Sequence, residues 1–218
     1  MPELRRAVDR TFVLGISGGS GAAYALRLLE VLLGEGARVQ LVVSGAGLRV
    51  LEHEAGIDVR RPGFAPEQLV AAPLRRHLEV FAIEAVESTP ASGSARIDGV
   101  VLVPCSMGTL ARVAHGFSTN LIERAADVAL KEGRRLIVVP REAPLSVIHL
   151  RNMLQLAEAG AVVLPAMPGF YHRPRRVEDL VDFVVARILD KLGLEHELVA
   201  RWQTPGPGPS PWHEEEDA

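Results

Sequence analysis

Short apolar runs alternate with helix-length amphipathic stretches along this chain, and that alternation leaves few folds open. Thr11–Ser17 (TFVLGIS) reads as a buried strand, and Gly21–Leu33 as a helix with Leu26, Leu29 and Leu33 on one face. Arg38–Val43 is a second strand, and Ala46–Glu54 a second helix. Gly99–Val103 is a third clear strand, with a helix following through Val113. Ser118–Lys131 reads as a helix, Arg135–Val139 as a strand, Ser146–Glu158 as a helix stopped by Gly160, and Ala161–Leu164 as the last strand. The final helix has the clearest period: Val177, Leu180, Val181, Val184, Val185, Ile188, Leu189 and Leu192 recur at helical spacing up to Gly193. Residues 57–98 are the least legible, with a helix end and a strand expected inside Leu74–Ile83 and a turn-rich loop over Ser88–Arg96.

Strands alternating with helices imply an α/β fold: a three-layer, Rossmann-like or flavodoxin-like parallel sheet with helices on both faces. Ligands of such sheets bind beyond the carboxyl ends of the strands. The loops that matter are therefore 17–21, 44–47, 104–109, 140–146 and 165–175. A chain of 218 residues, 48% apolar, forms one domain with tails and buries a full core. The expected division is an N-terminal arm over 1–10, a domain over 11–193 and a C-terminal extension over 194–218, disordered from about Gln203. Cys105 is the single cysteine, which suits a reducing cytoplasm. No apolar run is long enough to span a membrane, and the first residues lack a signal-peptide core. A net charge of −3 with scattered arginines argues against a nucleic-acid surface.

The first strand runs into Gly15-Ile16-Ser17-Gly18-Gly19-Ser20-Gly21 and then a helix, a pattern that lets backbone amides meet a phosphate. A P-loop would end in Gly-Lys-Ser/Thr, and no lysine is present. A dinucleotide fingerprint would need glycine where Tyr24 stands, and an acid after the second strand where Ser44-Gly45-Ala46-Gly47 follows. A mononucleotide such as FMN fits better than NAD. After the third strand, Ser106 and Thr109 are ligand or capping hydroxyls, and Cys105 reads as a core residue. Arg141 and Glu142 follow a central strand, where catalytic groups sit. The proline-stiffened loop Pro165–Pro174 presents Tyr171 and His172, and Arg187 lies at the edge of the last helix's apolar stripe, where a phosphate is one possible partner. Glu178, Asp179 and Asp182 resemble a diphosphate–magnesium motif. Their place in the first turns of a helix is better explained by the helix dipole, so no metal site is expected.

The segments GISGGSGAAYALRLLE, PCSMGTLARVAHG, NLIERAADVALKE, VPREAPLSVIHLRNML, LPAMPGFYHRP and DLVDFVVARILDKLG resemble, in order over about residues 11–202, the UbiX family of flavin prenyltransferases. The resemblance implies a homododecamer that transfers a dimethylallyl group from dimethylallyl phosphate to N5 and C6 of reduced FMN, without a metal, for UbiD-type decarboxylases. It implies FMN contacts at Gly18, Gly19, Ser20, Ser44, Ser106, Met107, Gly108, Thr109 and Arg141. Prenyl-phosphate contacts follow at Tyr171 and Arg187, with Lys131 and Arg124 as further anion binders. Ser20, Glu142 and Glu54 are the implied catalytic groups. Gly19 replaces the family's usual alanine, and Gly45 a common lysine. Lys131 ends a helix that leads into a strand, so it should lie at the amino edge of its own sheet and serve a neighbouring subunit's site. The alternative is an FMN-dependent cysteine decarboxylase of related fold, against which the 165–174 loop argues because it lacks an asparagine clamp.

Overall fold

The computed structural model describes residues 7, 8, 10–60 and 65–199. Most of the expected N-terminal arm and the whole tail from Gln203 lie outside the described residues. Among the described residues the strands are β1 (Thr11–Ile16), β2 (Arg38–Val43), β3 (Leu78–Phe81), β4 (Gly99–Cys105), β5 (Arg135–Pro140) and β6 (Val162–Val163). They form one parallel sheet in the order β3-β2-β1-β4-β5-β6. The order reverses between β1 and β4, and this switch point is where a crevice opens beyond the strand ends.

The helices are α1 (Ala22–Gly34), α2 (Gly45–Ala55), α3 (Met107–Ala114), α4 (Leu121–Lys131), α5 (Val147–Glu158) and α6 (Val177–Leu192). Side chains alternate across each strand, so two apolar layers form. Phe12, Leu14, Ile16, Val101 and Ile137 pack with Leu28, Leu51, Val185 and Ile188 from α1, α2 and α6. Val13, Val100, Leu102 and Val138 pack with Leu110, Ile122, Ala126 and Leu156 from α3, α4 and α5. Three layers and a doubly wound parallel sheet are what the alternation of runs implies.

Several expected boundaries move for local reasons. Ser17 leaves β1 because its side chain is turned toward β4. β4 runs two residues past Val103, through Pro104 to Cys105, with a register shift after Leu102 that accommodates the proline. α4 starts at Leu121, not Ser118: Asn120 caps it through Glu123 N–H, while Ser118 bonds Asp127. Ser146 is the N-cap of α5 and lies outside it. β6 holds only two residues at the sheet edge. The illegible stretch contains 3-10 turns at Pro66–Leu69, Ala72–His77 and Thr89–Ala91 around β3. Beyond α6, Leu194 is buried in the same core, and we propose a domain that continues through residue 199.

Among the described residues Glu123 is the fully buried acid. Its carboxylate accepts the Thr119 N–H at 3.0 Å and hydroxyl at 2.6 Å, and pairs with the Arg112 guanidinium. Burial pushes its pKa up, but Thr119 and Arg112 outweigh burial and hold it below the usual glutamate range. A depressed carboxylate contributes stability above its ordinary pKa, and that contribution is lost as pH falls through the lowered value. Glu123→Ala should therefore cost about 2–3 kcal/mol at pH 7. Urea unfolding checks this, and the gap from wild type should narrow in acid.

Candidate functional site

At the switch point the two central strand ends are tied together. Ser17, buried, donates its N–H (3.1 Å) and its hydroxyl (3.0 Å) to the Pro104 carbonyl, and its Oγ accepts the Ser106 N–H (2.8 Å). The glycines of the first loop serve this closeness. A Cβ on Gly18 would lie 2.7 Å from that of Ala46, and one on Gly19 would lie 3.3 Å from the Cys105 backbone. Gly21, at φ 129°, stands in a region that side chains rarely allow.

The amide end of α1, expected to cradle a phosphate, is taken by the protein itself. Glu54, from the last turn of α2, accepts the Gly21 N–H at 2.9 Å and the Ala22 N–H at 2.8 Å. Burial pushes the Glu54 carboxyl up, but the Ser20 hydroxyl, both amides and Arg141 outweigh it and hold the pKa below its usual value. The anion-ready turns are instead the starts of α2 and α3. Ser44 caps α2 through Gly47 N–H at 3.0 Å, and its own N–H binds the Ile16 carbonyl. Ser106 caps α3 through Thr109 N–H at 3.3 Å and donates to Thr109 Oγ1 at 3.1 Å. Arg112 reaches the same Thr109 oxygen at 3.4 Å and lies over Gly108. Two serine-capped helix starts flanking one crevice fit a mononucleotide phosphate with hydroxyl and amide donors. Gly45 has open space around it, so a side chain would fit there without a clash.

Arg141, exposed after β5, acts on both Glu54 and Tyr24. Burial raises the Tyr24 pKa, Arg141 lowers it and Glu54 raises it, so these three groups share one electrostatic neighbourhood. Glu142 turns its carboxylate onto the Ala143 N–H at 3.1 Å, at the mouth of a cavity of about 180 Å³ lined by Pro140, Leu145, Met153, Pro165 and Met167. Tyr171 packs edge-on against Phe183 of α6, ring centroids 5.5 Å apart, and His172 stacks on the same ring. Arg187 lies one turn further along α6 from Phe183, exposed. The structure thus gathers Gly18, Gly19, Ser20, Ser44, Ser106–Thr109, Arg141 and Glu54 at one edge, sets Arg187 on α6, and packs Tyr171 from the preceding loop against that helix.

It does not bring Lys131 to that edge. Lys131 ends α4 at the amino edge, against Gly93 and paired with Glu132, and Arg124 pairs with Asp127 at 2.9 Å. Cys105 is core: it is fully buried, and burial pushes its thiol up to about 12, too high for a nucleophile. Asp179 caps α6 by accepting the Arg175 and Arg176 N–H groups, and Asp182 pairs with Arg27 at 2.7 Å. Among the described residues no group of His, Cys, Asp and Glu is gathered to hold a metal. Sequence reasoning missed Ser17, Tyr24, Arg112 and Phe183. A polar residue closing a buried strand, and an aromatic lying off an apolar stripe, were the available signals.

This architecture defines a mononucleotide-binding doubly wound protein, and residues 2–189 match the Flavoprotein family model. A Pseudomonas aeruginosa relative named flavin prenyltransferase UbiX is 50% identical over 196 residues, covering 87% of this chain and 92% of the relative. The crystal structure of AnUbiX (PadA1) in complex with FMN and dimethylallyl pyrophosphate superposes with a TM-score of 0.78 at 38% identity, covering 92% of this chain and 99% of that one. A dodecameric FMN-dependent Ubix-like decarboxylase from Escherichia coli O157:H7 gives 0.78 at 40% identity, covering 89% and 100%. The chain belongs to the UbiX flavin prenyltransferase family. The cysteine decarboxylase alternative is not favoured: such an enzyme, TvaF, matches at only 18% identity and a TM-score of 0.54, a likeness of fold alone.

Glu54→Ala should lower the melting temperature at pH 7 by roughly 2–4 °C, the loss of one helix cap of about 1 kcal/mol. The Glu54 carboxyl is depressed, so its contribution should fade as pH falls through the lowered pKa. Melting curves of both proteins against pH check this, with the gap closing in acid.

Proposed function

We propose that the chain uses dimethylallyl phosphate to prenylate reduced FMN at N5 and C6, with no metal in the reaction, and that the product serves UbiD-type decarboxylases. The observation that carries this reading is the combination of a serine-capped mononucleotide crevice with an aromatic and guanidinium face on α6. Bound FMN supplies the nucleophilic N5 and C6 atoms. Gly18, Gly19 and Ser20 line one side of it. Ser44, Ser106, Met107, Gly108 and Thr109 hold its phosphate with hydroxyls and amides, and Arg141 adds charge. Arg187 and Tyr171 bind the donor's phosphate, which leaves with up to about two negative charges. Donors preorganised in a dry site supply roughly 3–4 kcal/mol each to such a departure. Ser20 would contact the flavin, and Glu142 would move a proton. Glu54 acts by holding Ser20 and the start of α1.

Lys131 reaches the donor only from a neighbouring copy, since its own site lies across the sheet, and Arg124 joins it from the same helix. An apolar face on α5, with Val147, Ile148, Leu150 and Leu154 exposed, supports such subunit contact in a homododecamer. No helix among the described residues is long and apolar enough to cross a membrane, and we place the enzyme in the cytoplasm.

Anaerobic incubation of the protein with reduced FMN and dimethylallyl phosphate should yield a flavin heavier by one C5 unit by mass spectrometry, with turnover unchanged by a chelator. An unaltered flavin mass would overturn the reading, and parallel reactions with the diphosphate identify the donor. Lys131→Ala should lower kcat/KM for the donor roughly 10–100-fold while FMN affinity stays constant. Equal loss of both would instead mark a folding role.

A further inference from the structure

Arg187 is held by a relay that the family resemblance does not include. Its Nη1 donates to Asp190 Oδ2 at 2.7 Å. The other carboxylate oxygen, Oδ1, stands 3.2 Å from His196 Nε2. A carboxylate accepts, so this ring nitrogen is the donor. The His196 side chain is only 6% exposed, and the fold brings it there by a sharp reversal. Gly193 ends α6 at φ 69°, the Leu194 N–H returns to the Leu189 carbonyl at 3.0 Å, and Leu194 is buried in the core. His196 therefore reaches Asp190 from beneath the helix end, as part of the packed domain.

The corner of the guanidinium that Asp190 engages is informative. Arginine grips a phosphate best through two parallel N–H bonds. Asp190 takes only Nη1, and no described residue bonds the Nε–Nη2 edge. That edge is a complete two-pronged donor, and it belongs to a side chain that is half exposed. A long arginine at a helix surface otherwise samples many rotamers, and ordering it on binding costs affinity.

We propose that Asp190 and His196 are positioning residues for Arg187: together they fix its Nη1 corner and turn the Nε–Nη2 fork toward the phosphate of the prenyl donor. This rests on the donor-binding role of Arg187 proposed above. His196 acts through Asp190, and Asp190 through Arg187, so neither touches the donor.

The test uses the FMN-loaded full-length protein and the variants His196→Phe, His196→Gln and Asp190→Asn. Four quantities are measured: KM for dimethylallyl phosphate, inhibition by inorganic phosphate, FMN affinity and melting temperature. His196→Phe and Asp190→Asn should each raise KM and the phosphate inhibition constant about tenfold, the scale of one charge-assisted hydrogen bond, with FMN affinity unchanged. His196→Gln keeps an N–H donor and should recover most of that loss. An unchanged KM in Asp190→Asn overturns the proposal, as does a fall in FMN affinity parallel to the rise in KM. Should His196→Phe fail to fold, the Asp190→Asn result decides alone. If wild type does not prenylate the flavin, the functional reading fails; phosphate binding, followed by direct titration of wild type and Asp190→Asn, still judges the relay.

Discussion

The crevice depends on one buried hydroxyl. Ser17 bridges the ends of β1 and β4 by donating to the Pro104 carbonyl and accepting from Ser106 N–H. These are the strands between which the sheet reverses its winding. Were they free to splay, the starts of α2 and α3 would lose their common target. The bridge also explains the glycine at 18. Once the two ends are held this close, a Cβ there would overlap that of Ala46, while one at Gly19 would meet the Cys105 backbone in a tight contact at 3.3 Å. A buried hydroxyl is stable there only because its donor and acceptor capacity are both used.

Charge is distributed over the carboxyl edge with a similar economy. Glu54 neutralises the amide end of α1, which leaves the amide ends of α2 and α3 as the places where an incoming anion meets unopposed partial charge. Arg141 balances Glu54 from the neighbouring strand end. On the far side of α3, Glu123 is buried so that Arg112 is held over Thr109 and Gly108. The acids at the edge thus orient cations and hydroxyls, and on α6 Asp190 holds Arg187 by the same device.

Much of the fold was legible because burial imposes a period. A strand covered on both faces must be apolar throughout, as Val100–Val103 is, and a covering helix must be apolar along one stripe, as α6 is. The stretch 57–98 was the least legible because its 3-10 turns carry no such period; even so, the end of the Ala72–His77 turn and β3, paired to β2, fall inside the expected window, and the 88–96 loop holds the Thr89–Ala91 turn. Of the site, the serines and glycines at strand ends stood out by composition. Tyr24, Arg112 and His196 did not, since each acquires its partner from an element distant in sequence or across a chain reversal. Glu54 was named as an acid near the site, yet nothing in its own helix shows that it caps α1.

By itself the sequence determined the layer architecture, the edge of the sheet at which ligands bind, and the inertness of Cys105, because hydrophobic periodicity and topology follow from local order along the chain. The tertiary structure alone decided that Glu54 closes the start of α1, that Arg112 is held over Thr109 by a buried Glu123, and that Asp190 and His196 converge beside Arg187. Those are questions of distance between residues far apart in the chain, and electrostatic and hydrogen-bond energies depend on distance, not on spacing in sequence.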